Sequence, residues 1–214
     1  MLGNPQSASR NPKSERGYTL VALIAVMTLL ALFALAAAPD IRQQTQRERE
    51  KESVFRGEQV ADAIRAYYRY RGAQGVNSLP TSMDQLLEGI PRGTKKLQIL
   101  RSEAARDPLS ASGDWRLIAP TSQEFVRFVQ SVTVYSGGVQ PVPQRDFAAL
   151  AALVPQMMNV LDTKSSETAP GDEDTSADFS GPFLGVASRS RHNSVITYYG
   201  IDRHDEWIFT PLFR

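Results

Sequence analysis

The chain has 214 residues, with 24 lysines and arginines against 23 aspartates and glutamates, two histidines and no cysteine. A formal net charge of +1 leaves no global field to recruit nucleic acid or an anionic surface. The absence of thiols excludes disulfides and thiolate metal sites, so a folded domain has to be held by packing or by a hard cation bound through oxygen.

The N-terminal leader is basic and ends in Glu15-Arg16-Gly17-Tyr18-Thr19. Residues 18–38 then carry no charge, and ten of them are Leu, Ile, Val or Phe. As a helix this block would reach about 31 Å, close to the hydrocarbon thickness of a bilayer. Insertion would gain about 3–6 kcal/mol with no charge to oppose it. A secretory signal has a shorter apolar region and a small-residue cleavage site. Ala36-Ala37-Ala38 offers small residues, but Pro39 would follow the scissile bond and block it. The expectation is an uncleaved anchor, or a cut ahead of the block. Ala34 and Ala38 supply a small-xxx-small step for close helix packing. Charge bias does not orient the span, because Arg42, Arg47, Arg49, Lys51 and Arg56 follow it as closely as Arg10, Lys13 and Arg16 precede it.

From 40 to 53 the sequence is rich in Gln, Arg and Glu, with pairs at helical spacing: Arg47–Glu50, Glu48–Lys51, Arg49–Glu52 and Glu52–Arg56. These support a solvated helix face. Val54, Ala61, Ile64 and Tyr68 continue it as an apolar stripe to about Arg71, where Gly72 can cap the end. The expectation is one helix over 18–71, about 80 Å long, bent or locally melted at Pro39. Residues 79–88 read as a short helix entered at Pro80 and Thr81 or Ser82 and closed by Gly89. Strand candidates are 115–119, 183–187, 195–199 and 206–210, short and rich in β-branched and aromatic residues. Between 120 and 182, residues 125–135 could be a strand or a helix turn, 147–161 has an amphipathic helical pattern, and 163–178 is acidic and Ser/Thr/Gly-rich. No active-site pattern is present. Ser194, His204 and Asp205 hold triad residue types, but adjacent residues entering a strand cannot converge.

The run Arg16-Gly17-Tyr18-Thr19-Leu20-Val21 resembles the processing site of type IV prepilins and of the pseudopilins of type II secretion systems. Leu79-Pro80-Thr81 is similar to the entry of a short helix in G-type pseudopilins, and Asp107-Pro108 with Gly113-Asp114-Trp115 to the loop before their first strand. The resemblance implies an α+β, pilin-like fold: a long N-terminal helix, with a transmembrane half and an amphipathic half, packed on a small antiparallel sheet. It divides the chain into a leader (1–17), a transmembrane and filament-core helix (18–38), its continuation (39–71) and a periplasmic domain (72–214) with a variable insertion at 120–182. It implies cleavage between Gly17 and Tyr18, N-methylation of Tyr18, and a non-enzymatic subunit of a filament that drives protein export. The alternatives are a minor pilin of a type IV pilus and an anchored periplasmic binding module that never polymerises.

By the same resemblance the partners are other pseudopilins, a prepilin peptidase, and an inner-membrane assembly platform with its ATPase. The location is a bacterial inner membrane, crossed once, with the soluble domain in the periplasm; no nucleic acid is involved. Filament assembly would involve Ala22, Ala34, Ala38 and Pro39. Ala22 stands where the family usually has a glutamate, which implies a minor or tip role. Asp202 and Asp205 lie where G-type pseudopilins hold calcium, so calcium is a candidate cofactor there; a solvated acidic turn is the alternative.

Overall fold

The computed structural model describes residues 15–139, 142–143, 145–151 and 181–213. The chain forms two compact units, Met1–Thr45 and Gln46–Arg214. The secondary structure is mixed: helices α1 (Glu15–Tyr70), α2 (Met83–Glu88), α3 (Gln123–Tyr135) and α4 (Ala148–Ala151), with strands β1 (Ile90–Arg92), β2 (Lys95–Leu97), β3 (Arg116–Ile118), β4 (Gly185–Ala187), β5 (Asn193–Tyr198), β6 (Ile201–Arg203) and β7 (Ile208–Phe209).

Local chemistry sets the element ends. Past α1 the Ala73 amide donates to the Tyr68 carbonyl at 3.0 Å, while Gly72 takes φ 87, the left-handed conformation that closes a helix. At α2 the N-cap Ser82 makes no side-chain cap. Gln85 reaches back instead: its Oε1 accepts from the Thr81 amide at 3.0 Å and its Nε2 donates to Thr81 Oγ1 at 2.8 Å. In α3, Ser122 Oγ accepts from the Phe125 amide at 3.2 Å. Buried Phe125, Val126, Phe128, Val129 and Val132 then recur at helical spacing, which settles 125–135 as helix despite its β-branched content.

In the second unit, Val60, Ala61, Ile64 and Tyr68 of α1 are buried in the core. Tyr68 stacks on Phe147, with ring centroids 4.7 Å apart. The central sheet runs β3-β4-β7, all antiparallel, and every residue of its middle strand is buried. Trp115 meets Phe209 edge-on beside it. Both tryptophans satisfy their indole N–H: Trp115 donates to the Ala104 carbonyl at 3.0 Å and Trp207 to the Ile201 carbonyl at 2.9 Å.

The expected architecture is corrected in two respects. Among the described residues no helix is long and apolar enough to cross a membrane. The transmembrane half expected of the long helix is therefore not borne out, and the placement as a single-pass inner-membrane protein with a periplasmic domain is overturned with it. The second correction concerns the strands. They do not make one small sheet; they divide into β1-β2, β3-β4-β7 and β5-β6. The acidic stretch 163–178 and most of 147–161 lie outside the described residues.

At Gly57 α1 lies tight against the sheet: a Cβ there would lie 2.2 Å from Cδ2 of Phe209. That ring is buried and packed against Trp115 and Tyr198, so moving it disturbs both contacts. Gly57→Ala is expected to lose about 2 kcal/mol of stability by overpacking, read as a lower urea midpoint at unchanged slope. An unshifted midpoint would show that the helix can back off at no cost.

Candidate functional site

Two features of the second unit combine polar chemistry with defined geometry: a buried carboxylate under the β5–β6 hairpin, and a groove along the hairpin's outer side. The carboxylate belongs to Glu50, which has no solvent exposure. Its Oε1 accepts from Gln46 Nε2 at 2.8 Å and from the Val195 amide at 2.9 Å, and it lies 3.0 Å from His204 Nε2. Its Oε2 accepts from the amides of Val195 and Ile196, at 3.0 and 2.9 Å. Successive N–H groups of a regular strand point to opposite sides, so two neighbours serving one carboxylate require a break in the ladder. The register supplies it: Asn193 pairs with Arg203 and Tyr198 with Ile201, five steps on β5 against two on β6.

An ionised carboxylate only accepts, so His204 carries a proton on Nε2. Its Nδ1 lies 3.3 Å from Ser190 Oγ. The Ser190 amide donates to Ser188 Oγ, which donates to Asp107 Oδ2 at 2.6 Å. Asp107 is buried too, and its Oδ1 accepts from the Leu109 amide at 3.0 Å and from Ser53 Oγ at 3.4 Å. A polar seam thus joins one turn of α1 (Glu50, Ser53) to the segment around Ser188, Ser190 and His204. Burial pushes the Glu50 carboxyl up, but the Val195 amide, His204, the Ile196 amide and Gln46 outweigh it, so its pKa falls below the ordinary 4.5. At Asp107 burial wins over Ser188, the Leu109 amide, Ser53 and the Arg189 amide, and the pKa rises above 3.8.

The groove, about 940 Å³, lies between α3 and the segment from Tyr199 to Glu206. Phe128, Tyr135 and Tyr199 give it an aromatic wall, with Tyr135 and Tyr199 edge-on at 6.0 Å. Arg116 stands at its end, donating to the Asp205 carbonyl at 2.6 Å and pairing with Glu124.

Both calcium candidates line this groove. Asp202 is exposed, whereas both Asp205 carboxylate oxygens are held by Arg203, at 3.1 and 2.7 Å. Among the described residues no group of three or more Asp, Glu or His could hold a metal. Residues 204–206 form a 3-10 turn rather than entering a strand. His204 meets Glu50 and Ser190, and neither Ser194 nor Asp205, so the Ser194–His204–Asp205 set does not assemble. The Ser190–His204–Glu50 line does have triad residue types, but neither it nor the seam lines the groove. Tyr18 and Ala22 are exposed on α1. The surroundings of Gly17 and the side chains of Ala34, Ala38 and Pro39 are not among those described. No protein-family model, curated protein or solved structure matches the chain.

Glu50 escapes a sequence reading because it sits among charges spaced for a solvated face. His204 gives no signal of its own either, since it stands among Asp202, Arg203, Asp205 and Glu206 and looks like part of a solvated turn.

Glu50→Ala strips a buried histidine and two amides of their acceptor and is expected to destabilise the unit by about 3–5 kcal/mol, with faster hydrogen exchange concentrated at Val195 and Ile196. Uniform exchange across the unit would contradict a local clamp. The two carboxyls act oppositely with pH. The depressed Glu50 adds stability that is complete above pH 4.5 and is lost as pH falls through its folded value. The raised Asp107 weakens the fold once ionised, and that penalty is relieved as pH falls through its folded value toward 3.8. Melting temperatures of Asp107→Asn and wild type should therefore shift in favour of the wild type on acidification from neutral pH; parallel profiles would refute the assignment.

Proposed function

We propose that the chain is a pseudopilin-type subunit of a type II secretion system, assembling with other such subunits into a filament whose growth expels folded cargo. The observation that supports this most directly is the first part of α1. Behind the junction Arg16-Gly17-Tyr18, the large apolar side chains from Tyr18 to Phe33 are all at least half exposed, and they lie all round the helix. Such a helix needs a cover on every side, since exposed apolar patches of this extent mark an interaction surface. In a filament the cover is a bundle of the same helices from neighbouring subunits. The chain has no phosphate-binding motif, so energy for assembly comes from a partner ATPase acting through an assembly platform.

In this reading a prepilin peptidase cuts between Gly17 and Tyr18 and the new Tyr18 amine is methylated. Ala22 leaves that amine without the carboxylate partner usual in the family. A buried unpaired ammonium is costly, so a subunit of this kind suits the filament tip, or another minor position, better than the repeating shaft.

Mass spectrometry of the mature N-terminus is expected to show methylated Tyr18, and Gly17→Leu to leave a full-length precursor that fails to assemble. An intact leader on the wild-type protein would favour a binding module that never polymerises. Subunit counting in purified filaments should find this chain in small numbers; a shaft built mostly from it would remove the tip role.

A further inference from the structure

The β1–β2 hairpin is a finger with no core of its own. All of its residues except half-buried Ile90 are exposed, on both faces. An isolated two-stranded hairpin is marginal in water, and this one is paired only with itself. Its shape is nevertheless tightly set. The turn is Gly93-Thr94, with Gly93 at φ 65, and at the base a Cβ on Gly89 would lie 2.3 Å from the Leu97 carbonyl oxygen.

The charges make its isolation harder to explain by folding alone. Arg92 and Lys95 are direct cross-strand partners, and like charges placed opposite one another destabilise a hairpin. Neither side chain makes a hydrogen bond or ion pair among the described residues. Lys96 follows, with only a 4.0 Å contact to Glu88, both side chains about two-thirds exposed. Three cations therefore crowd the tip of an exposed finger in a chain whose net charge is only +1.

We propose that the β1–β2 hairpin is a docking site for an acidic, extended peptide segment of a partner protein, whose carboxylates bridge Arg92 and Lys95 and reach Lys96. The choice among anionic partners follows from the shape of the finger. Its tip has no aromatic side chain to stack on bases, and three cations are few for a nucleic-acid track. It has no apolar wedge for a lipid surface, because Leu97 sits at the base. Pro91 removes an N–H from β1, which disfavours recognition by strand addition along that edge and leaves side-chain charge as the means. The inference stands apart from the filament reading, since it concerns the hairpin alone.

The test is fluorescence anisotropy of the full chain with a labelled dodecapeptide of alternating glutamate and serine. The comparison arms are its glutamine counterpart, vesicles of phosphatidylglycerol and a single-stranded oligonucleotide. Binding of the glutamate peptide alone, weakening with salt, is expected, and Arg92→Glu with Lys95→Glu should reduce affinity roughly ten-fold, as exposed ion pairs are individually weak. Arg92→Thr, which relieves the repulsion, should raise the melting temperature while weakening binding. Absence of binding, equal binding by the charge-reversed chain, or tighter binding to vesicles or oligonucleotide would each overturn the proposal.

Discussion

The buried carboxylate of Glu50 is the constraint on which the second unit turns. Taking an ion out of water costs several kcal/mol, and a well-packed apolar residue would avoid that cost. Here the alternative is foreclosed by the strand above it. The irregularity in β5 turns the Val195 and Ile196 amides to the same side, and two buried N–H groups without an acceptor would be costly in their own right. The bulge needs the carboxylate as much as the carboxylate needs the bulge. The pair contributes specificity: only one register of α1 against the hairpin satisfies Gln46, Val195, Ile196 and His204 together.

That register has consequences further out. The β5–β6 hairpin shares no ladder with β3-β4-β7, so its place depends on side chains. Glu50 and His204 hold its polar side, and the Trp207 indole holds the Ile201 carbonyl on the other. The cluster of Tyr198, Tyr199, Trp207 and Phe209 fills the space between hairpin and sheet. Tyr199, at φ 51, ends β5 and turns its ring toward Phe128 and Tyr135, which shapes the groove wall. A shift of the clamp would therefore be felt in the groove through that aromatic cluster.

The sequence exposed what depends on neighbours along the chain and hid what depends on distant ones. The stop after Tyr70, the short helix closed by Gly89 and the strands near Trp115, Val186, Val195 and Phe209 all carry local turn or β-branched signals. The β1–β2 hairpin was not legible, because Pro91, Arg92, Lys95 and Lys96 are poor strand formers and do not alternate in polarity. Division of the strands into three sheets was equally hidden, because the central sheet depends on a pairing between distant segments, such as Arg116 with Ala187. Glu50 was misleading: spacing placed it with Arg47 on a solvated face, while the fold buries it against His204, 154 positions away. The transmembrane expectation rested on composition over 18–38, and no described helix bears it out.

The most direct test of the clamp is an NMR titration that follows the amide proton shifts of Val195 and Ile196 together with the Glu50 side-chain carboxyl carbon. Amides donating to a carboxylate lose their strongest hydrogen bond when it is protonated. Both amide shifts should therefore move with the carboxyl carbon, through one apparent pKa below 4.5. Amide shifts that stay flat while the carboxyl titrates, or a carboxyl that titrates above 4.5, would contradict a buried carboxylate as the fixed point of the fold.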